Sequence, residues 1–156
     1  MGGENLGRER RHIITLIGPG QAKLGMRFLH KGGTPKCEDC QYRRVCIENL
    51  EPGRIYKIVG VREKTLFCDA YGMEMVVVEV SESEVEAAIP SGSAIEGAII
   101  SFKTPECMED DCENYRLCFP EGLKNGDRSQ ILEVDGSLRC RLGIPLRRVR
   151  LLRVRS

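Results

Sequence analysis

Three pairs of cysteines recur at one interval: Cys40 and Cys112, Cys46 and Cys118, Cys68 and Cys140 each stand 72 positions apart. A fixed interval of this length marks a structural unit used twice, because each copy must carry the same side chains on the same elements. The interval extends beyond cysteine. Residues 17–25 (IGPGQAKLG) align without a gap on 89–97 (IPSGSAIEG), sharing Ile, Gly, Ala and Gly, and Lys31 meets Lys103. With shifts of one or two residues Thr34-Pro35-Lys36-Cys37 meets Thr104-Pro105-Glu106-Cys107, while Leu50, Gly53, Ile58 and Val61 meet Leu123, Gly126, Ile131 and Val134. Chance alignment of cysteine-rich segments does not account for the matched Gly, Ala and Pro. The 156 residues therefore divide into a leader, 1–12, and two repeats, 13–84 and 85–156.

Each repeat reads mostly as strand. Ile55 to Arg62 alternates loosely after a Pro52-Gly53 turn signal, and its counterpart Ser129 to Val134 follows Asn125-Gly126. Met75 to Val80 is a β-branched run apolar on both faces, the pattern of a buried central strand, and Arg147 to Leu152 is its partner by alignment. The one helical signal is Ser83-x-x-Glu86, a capping box ahead of Val85, Ala87, Ala88 and Ile89; it predicts two helical turns ending near Pro90. Two short strand-rich units that cannot each bury a core are expected to pair. The expected fold is mostly β with little helix, the tandem duplication forming a pseudo-twofold β-barrel or two abutting small barrels.

The spacing of the eight cysteines carries the chemistry. Repeat one holds Cys37-x2-Cys40-x5-Cys46-x21-Cys68 and repeat two holds Cys107-x4-Cys112-x5-Cys118-x21-Cys140. A tight pair in a turn, a third cysteine close by and a fourth returned by a later strand can converge on one centre. Four thiolates suit tetrahedral zinc or a 4Fe-4S cluster. Structural zinc usually draws two close pairs, whereas three clustered cysteines and one remote is a common ligand set for a cubane, so two 4Fe-4S clusters are favoured and two zinc ions are the alternative. Four disulfides fit the even count, but nothing in the chain points to an oxidising compartment, and only a hyperthermophile cytoplasm would keep them. Each repeat is taken to close its own site; the other grouping would exchange the fourth ligand, Cys68 joining Cys107, Cys112 and Cys118.

The segments Cys40-Gln41-Tyr42-Arg43-Arg44-Val45-Cys46 and Cys112-Glu113-Asn114-Tyr115-Arg116-Leu117-Cys118 place Tyr and Arg between ligands. They resemble the C-x2-C-x-Y-R-x2-C stretch of cluster-binding nucleases related to the CRISPR-associated Cas-four group and the auxiliary-cluster segment of some radical enzymes. An Arg there can hydrogen-bond cluster sulfur and offset its negative charge. More widely, HIITLIGPGQAKLGMRF, CEDCQYRRVC, LEPGRIYKIV and CFPEGLKNGD resemble uncharacterised protein family 0179, a cysteine-rich family of small archaeal proteins with no established function. The resemblance spans nearly the full length from His12 and implies an archaeal cytoplasmic protein, without bringing an activity.

Charge is segregated under a net +1: residues 1–68 carry 13 basic and 7 acidic groups, 69–121 carry 2 and 13, and 122–156 carry 9 and 3. Arg147, Arg148, Arg150, Arg153 and Arg155 crowd the last segment. They suit phosphate contact, with RNA or a larger assembly as partner, or else they meet acidic neighbours inside the protein. No run approaches the roughly 18 apolar residues of a membrane span, and Ile13 to Ile17 is too short for a signal-peptide core, so a cytoplasmic location is expected. Catalytic constellations are nearly absent. Only two histidines occur, His12 in the leader and His30 opposite Phe102 in the repeat; no G-x4-G-K-[ST] phosphate loop is present, and Gly18-Pro19-Gly20 reads as a structural turn. The expected function is a metal-binding accessory or binding protein and not an autonomous enzyme. A two-cluster electron-transfer protein and a structural zinc module are the alternatives.

Overall fold

The computed structural model describes residues 12–33, 37 and 40–154. Residues 1–11 of the expected leader, and Arg155 of the arginine cluster, lie outside the described residues. The chain divides into two units, one within Arg10–Ser83 and the other within Glu84–Ser156. Both are built from strands, and helix is confined to single turns.

In the first unit β1 (Ile13–Ile17), β2 (Arg27–Leu29), β3 (Ile55–Cys68) and β4 (Met73–Glu82) form one curled antiparallel sheet in the order β1-β4-β3-β2. The run Met75 to Val80 lies in the middle of β4, between β1 and β3, which explains its two apolar faces. On one side Val78 and Val80 pack with Ile17, Leu50, Tyr56 and Ile58. On the other Met75 and Val77 pack with Leu16 and Cys68, and Tyr42 and Cys46 lie against them. Because successive strand side chains point to opposite faces, the second set covers the sheet with the cysteine-bearing segment. The strand Ile55 to Arg62 expected from alternation is longer, reaching Cys68. Irregularities between Ile58 and Gly60 and between Val61 and Thr65 break its alternation, and such bulges bend a strand and raise its local twist.

In the second unit β5 (Val85–Pro90), β6 (Ile99–Ser101), β7 (Arg128–Leu138) and β8 (Leu146–Arg153) form a curled antiparallel sheet in the order β5-β8-β7-β6. Its irregularities fall between Ile131 and Glu133 and between Val134 and Ser137. Phe102, Ile131, Val149 and Leu151 are fully buried.

The helix expected from Ser83 to Pro90 is strand β5 instead. Val85, Ala87 and Ile89 are buried and Glu86 is exposed, and the segment pairs with β8 from Val85 against Leu151 to Pro90 against Leu146. A capping box satisfies a few N–H groups of a helix start; the six-residue ladder with β8 pairs the inner edge of this edge strand and buries Val85, Ala87, Ala88 and Ile89, so tertiary pairing overrides the local signal. The Gly18-Pro19-Gly20 segment forms a tight turn, Pro19–Gln21, and Ser91–Ser93 forms another.

Turn hydrogen bonds repeat between the units. Gly25 N–H donates to Ile58 O and Gly97 N–H to Ile131 O; Gly53 N–H donates to His30 O and Gly126 N–H to Phe102 O. Gly53 and Gly126 stand at φ +86° and +91°, which glycine adopts without the Cβ penalty. Among the described residues no helix is long and apolar enough to cross a membrane.

Candidate metal centres

In the first unit Cys40 N–H donates to Cys37 O at 3.2 Å. Arg43 N–H then donates to Cys40 O and Cys46 N–H to Tyr42 O, winding the segment into the helical turn Arg44–Glu48. That turn is fastened to β1: Thr15 Oγ1 donates to the Cys46 carbonyl and Asn49 Nδ2 to the Ile14 carbonyl. Cys68 arrives from the far end of β3, opposite Met73 on β4, and its carbonyl accepts from Gly72 N–H where the hairpin turns.

Cys46 packs against the buried cluster that holds Cys68 with Leu16, Met75 and Val77. Cys46 is pushed up to about 11 by burial first, then by the charges of Cys68, Cys37 and Cys40. A thiol so placed keeps its proton unless a cation offsets the neighbouring charges.

The second unit builds the same arrangement. Cys112 N–H donates to Glu109 O, Tyr115 N–H to Cys112 O and Cys118 N–H to Asn114 O, leading into the short helix α1 (Tyr115–Cys118), which packs on β5. Cys140 follows the end of β7, and its carbonyl accepts from Gly143 N–H. Cys118 is raised by burial and then by Cys112, Cys140 and Cys107. In each unit, then, the raised cysteine is the one preceding the distant fourth: Cys46 before Cys68 and Cys118 before Cys140.

Backbone N–H groups point at sulfur in both units. Tyr42 N–H reaches Cys40 Sγ at 3.4 Å, Glu109 N–H reaches Cys107 Sγ at 3.4 Å and Asn114 N–H reaches Cys112 Sγ at 3.5 Å. Such donors favour thiolate over thiol and tune sulfur bound to metal. All eight cysteines are free thiols. Among the described residues, no group of three or more Cys, His, Asp or Glu side chains is gathered tightly enough to hold a metal ion. The donor set nonetheless fits a thiolate-bound metal: four soft ligands per unit, partly or fully buried, with N–H donors behind them.

Two residues that position the second set carry no motif. Asn114, buried just ahead of α1, donates from Nδ2 to the Arg139 carbonyl at 2.7 Å and so ties the Cys112–Cys118 segment to the strand end that delivers Cys140. Arg141 Nη1 bonds Asp111 at 2.7 Å and Glu109 at 3.2 Å, tying the Cys107–Cys112 loop to the same place. Nothing local marks either one, since their partners lie 25 to 32 positions away.

The arginines of β8 have partners inside their own sheet. Arg147 donates through Nε and Nη2 to the Asp135 carbonyl at 3.0 and 2.8 Å, Arg148 pairs with Glu86 on β5, and Arg150 pairs with Glu133 on β7 at 2.9 Å. Arg153 ends β8 opposite Ser129 and has a partner as well. His30, just beyond β2, is buried with its Nε2 unpaired and stands edge-on to Tyr56 at 6.4 Å. Its ring bonds the Ile47 backbone, in the Arg44–Glu48 turn that also carries Cys46.

The chain is similar in sequence to archaeal proteins. A UPF0179 protein of Methanosarcina barkeri is 38% identical over 141 residues, covering 88% of this chain and 94% of its own. That of Methanothermobacter thermautotrophicus is 41% identical over 140 residues, covering 88% and 95%. That of Pyrococcus furiosus is 41% identical over 128 residues, covering 82% and 88%. No solved structure matches the chain. The sequence profile described as "Uncharacterised protein family (UPF0179)" matches residues 13–151, and the chain belongs to that family.

Proposed function

We propose that this is a tandemly duplicated metal-binding protein. Each repeat holds one centre on its own four cysteines: Cys37, Cys40, Cys46 and Cys68 in the first, and Cys107, Cys112, Cys118 and Cys140 in the second. Each centre is a 4Fe-4S cluster, and the protein serves as an accessory or binding module and not as an autonomous enzyme.

The observation that supports the reading is that the cysteines stay with their own unit: Cys107, Cys112, Cys118 and Cys140 line one cavity of the second unit, and in the first Cys46 packs against the cluster that holds Cys68. Burial and neighbouring thiols make Cys46 and Cys118 costly to ionise alone, and a bound cation would reverse that cost. The duplication is supported by the shared strand order and by the matched turn bonds of the two units. Iron–sulfur is preferred to zinc because one close pair, a third ligand nearby and a distant fourth suit a core larger than one ion. The β8 arginines are not used in this proposal, since Arg148 and Arg150 already have acidic partners.

When bound, the cluster would supply a one-electron centre or a structural clamp; the chain supplies ligands, backbone donors to sulfur and the ties made by Thr15, Asn114 and Arg141. The test is a visible spectrum with acid-labile sulfide analysis on protein purified without air. Broad visible absorption with sulfide supports clusters; colourless protein containing zinc replaces the cofactor; colourless protein without metal removes the proposal.

A further inference from the structure

A cavity of about 680 Å³ opens in the second unit, and all four of that unit's cysteines line it. The volume falls in the range of small-molecule sites, roughly 300–1,000 Å³. One ion with four sulfurs at about 2.3 Å would occupy roughly a tenth of such a space, and a four-iron core is also several-fold smaller. Most of the space therefore belongs to something other than metal.

The walls say what kind of occupant fits. Tyr115 and Phe119 both line the cavity, and their rings stack 4.8 Å apart with 29° between planes. Leu142 and Ile144 line it too and remain wet, 54% and 38% exposed. Large apolar side chains left in water along a concave wall gain free energy when an apolar body covers them, at about 25 cal/mol per Å². An aromatic surface adds a preference for an offset-stacked or edge-on ring. The charged lining does not select an ion: Lys103, Arg139 and Arg141 stand against Glu106 and Glu109, and Arg141 is already bonded to Glu109 and Asp111.

We propose that the second unit binds a small, uncharged, planar aromatic molecule in this cavity, seated on the Tyr115–Phe119 pair beside the four thiols. The walls carry this inference, and it holds whether the neighbouring centre is iron–sulfur or zinc.

The test uses the full chain with two fluorescent probes: N-phenyl-1-naphthylamine, which is neutral, and 8-anilinonaphthalene-1-sulfonate, which adds a negative charge to nearly the same rings. The neutral probe is expected to bind saturably at about one site per chain, at least tenfold more tightly than the sulfonate. Leu142→Glu, at an exposed position that leaves the core alone, and Phe119→Ala should each weaken it about tenfold or more, while Tyr71→Glu in the first unit should not change it. Three results overturn the inference: no saturable binding, binding indifferent to Leu142→Glu, or equal or tighter binding of the sulfonate. So does light scattering that shows a dimer taking up the probe only on dissociation, since a second copy would then be the occupant. Metal is assayed separately on every sample. Probe binding without metal would keep this inference and end the metal reading, and metal without probe binding would do the reverse.

Discussion

Cys46, in a turn fastened to β1, and Cys68, at the end of β3, face one another across 22 positions of sequence closely enough that the charge of Cys68 adds to burial in pushing the Cys46 thiol up to about 11. In the second unit the Cys118 thiol is also raised, by burial first and then by Cys112, Cys140 and Cys107. A turn and a strand end meet there only in the folded sheet, so a metal held by these thiols would couple its affinity to the fold of the unit.

Removing the remote ligand tests the grouping. Cys68→Ser should lose the centre of the first unit and keep the second, halving the metal per chain, and Cys140→Ser should do the converse. The readout is metal content together with limited proteolysis, which locates the loosened unit. If Cys68→Ser emptied the site of Cys107, Cys112 and Cys118, the fourth ligand would be exchanged.

The ties around the second centre should matter without being ligands. Asn114→Ala removes the Nδ2 donor to the Arg139 carbonyl and leaves that carbonyl unsatisfied in a partly buried place, a cost of about 1–3 kcal/mol. Metal loss to a chelator should therefore speed up for the second centre only, with a smaller acceleration for Arg141→Ala, whose partners are exposed. Equal acceleration at both centres would point to a general loss of stability.

His30 should make stability fall in mild acid. Burial holds its pKa below the ordinary 6.5, outweighing the Ile47 backbone hydrogen bond that raises it. As pH drops through 6.5 the unfolded chain takes up a proton that the folded chain does not, so stability declines until the folded ring is protonated too. His30→Phe copies Phe102, the fully buried residue with the same backbone bonds in the second unit, and it removes the unpaired Nε2. Urea unfolding at pH 7.5 and 5 should show a smaller loss for the variant than for the native chain. An unchanged loss would place the acid sensitivity elsewhere.

Gly126 tests backbone conformation with little interference from packing. It stands at φ +91°, and a Cβ there would meet nothing within 4 Å. Gly126→Ala should thus cost about 1–2 kcal/mol from the dihedral alone, read as a shift in the unfolding midpoint at constant slope. No measurable shift would mean the turn relaxes to accept the side chain.

The parts of the fold legible in the sequence are those where pattern and environment agree. Met75 to Val80 is apolar on both faces because β4 is central and buried on both. The ends of β3 and β7 were hidden by bulges that break period two. β5 is hidden by a capping-box pattern whose local benefit is outweighed by pairing with β8, although Ile89 aligns with Ile17, which closes β1. The cysteine spacing was legible as two sets of four, because the 72-residue interval recurs in three of their pairs. Asn114 and Arg141 were not, because what they hold lies on another element. The arginine run was legible as charge, but Glu86 and Glu133 could be assigned to Arg148 and Arg150 only through strand register.

The most direct measurement is iron, zinc and acid-labile sulfide per chain in protein prepared without air, with thiols counted on the same sample. Two cubanes require about eight iron and eight sulfide per chain, falling by half in Cys68→Ser. Protein holding neither iron nor zinc, with its thiols free or oxidised, would contradict the central claim that each unit carries a four-cysteine metal centre.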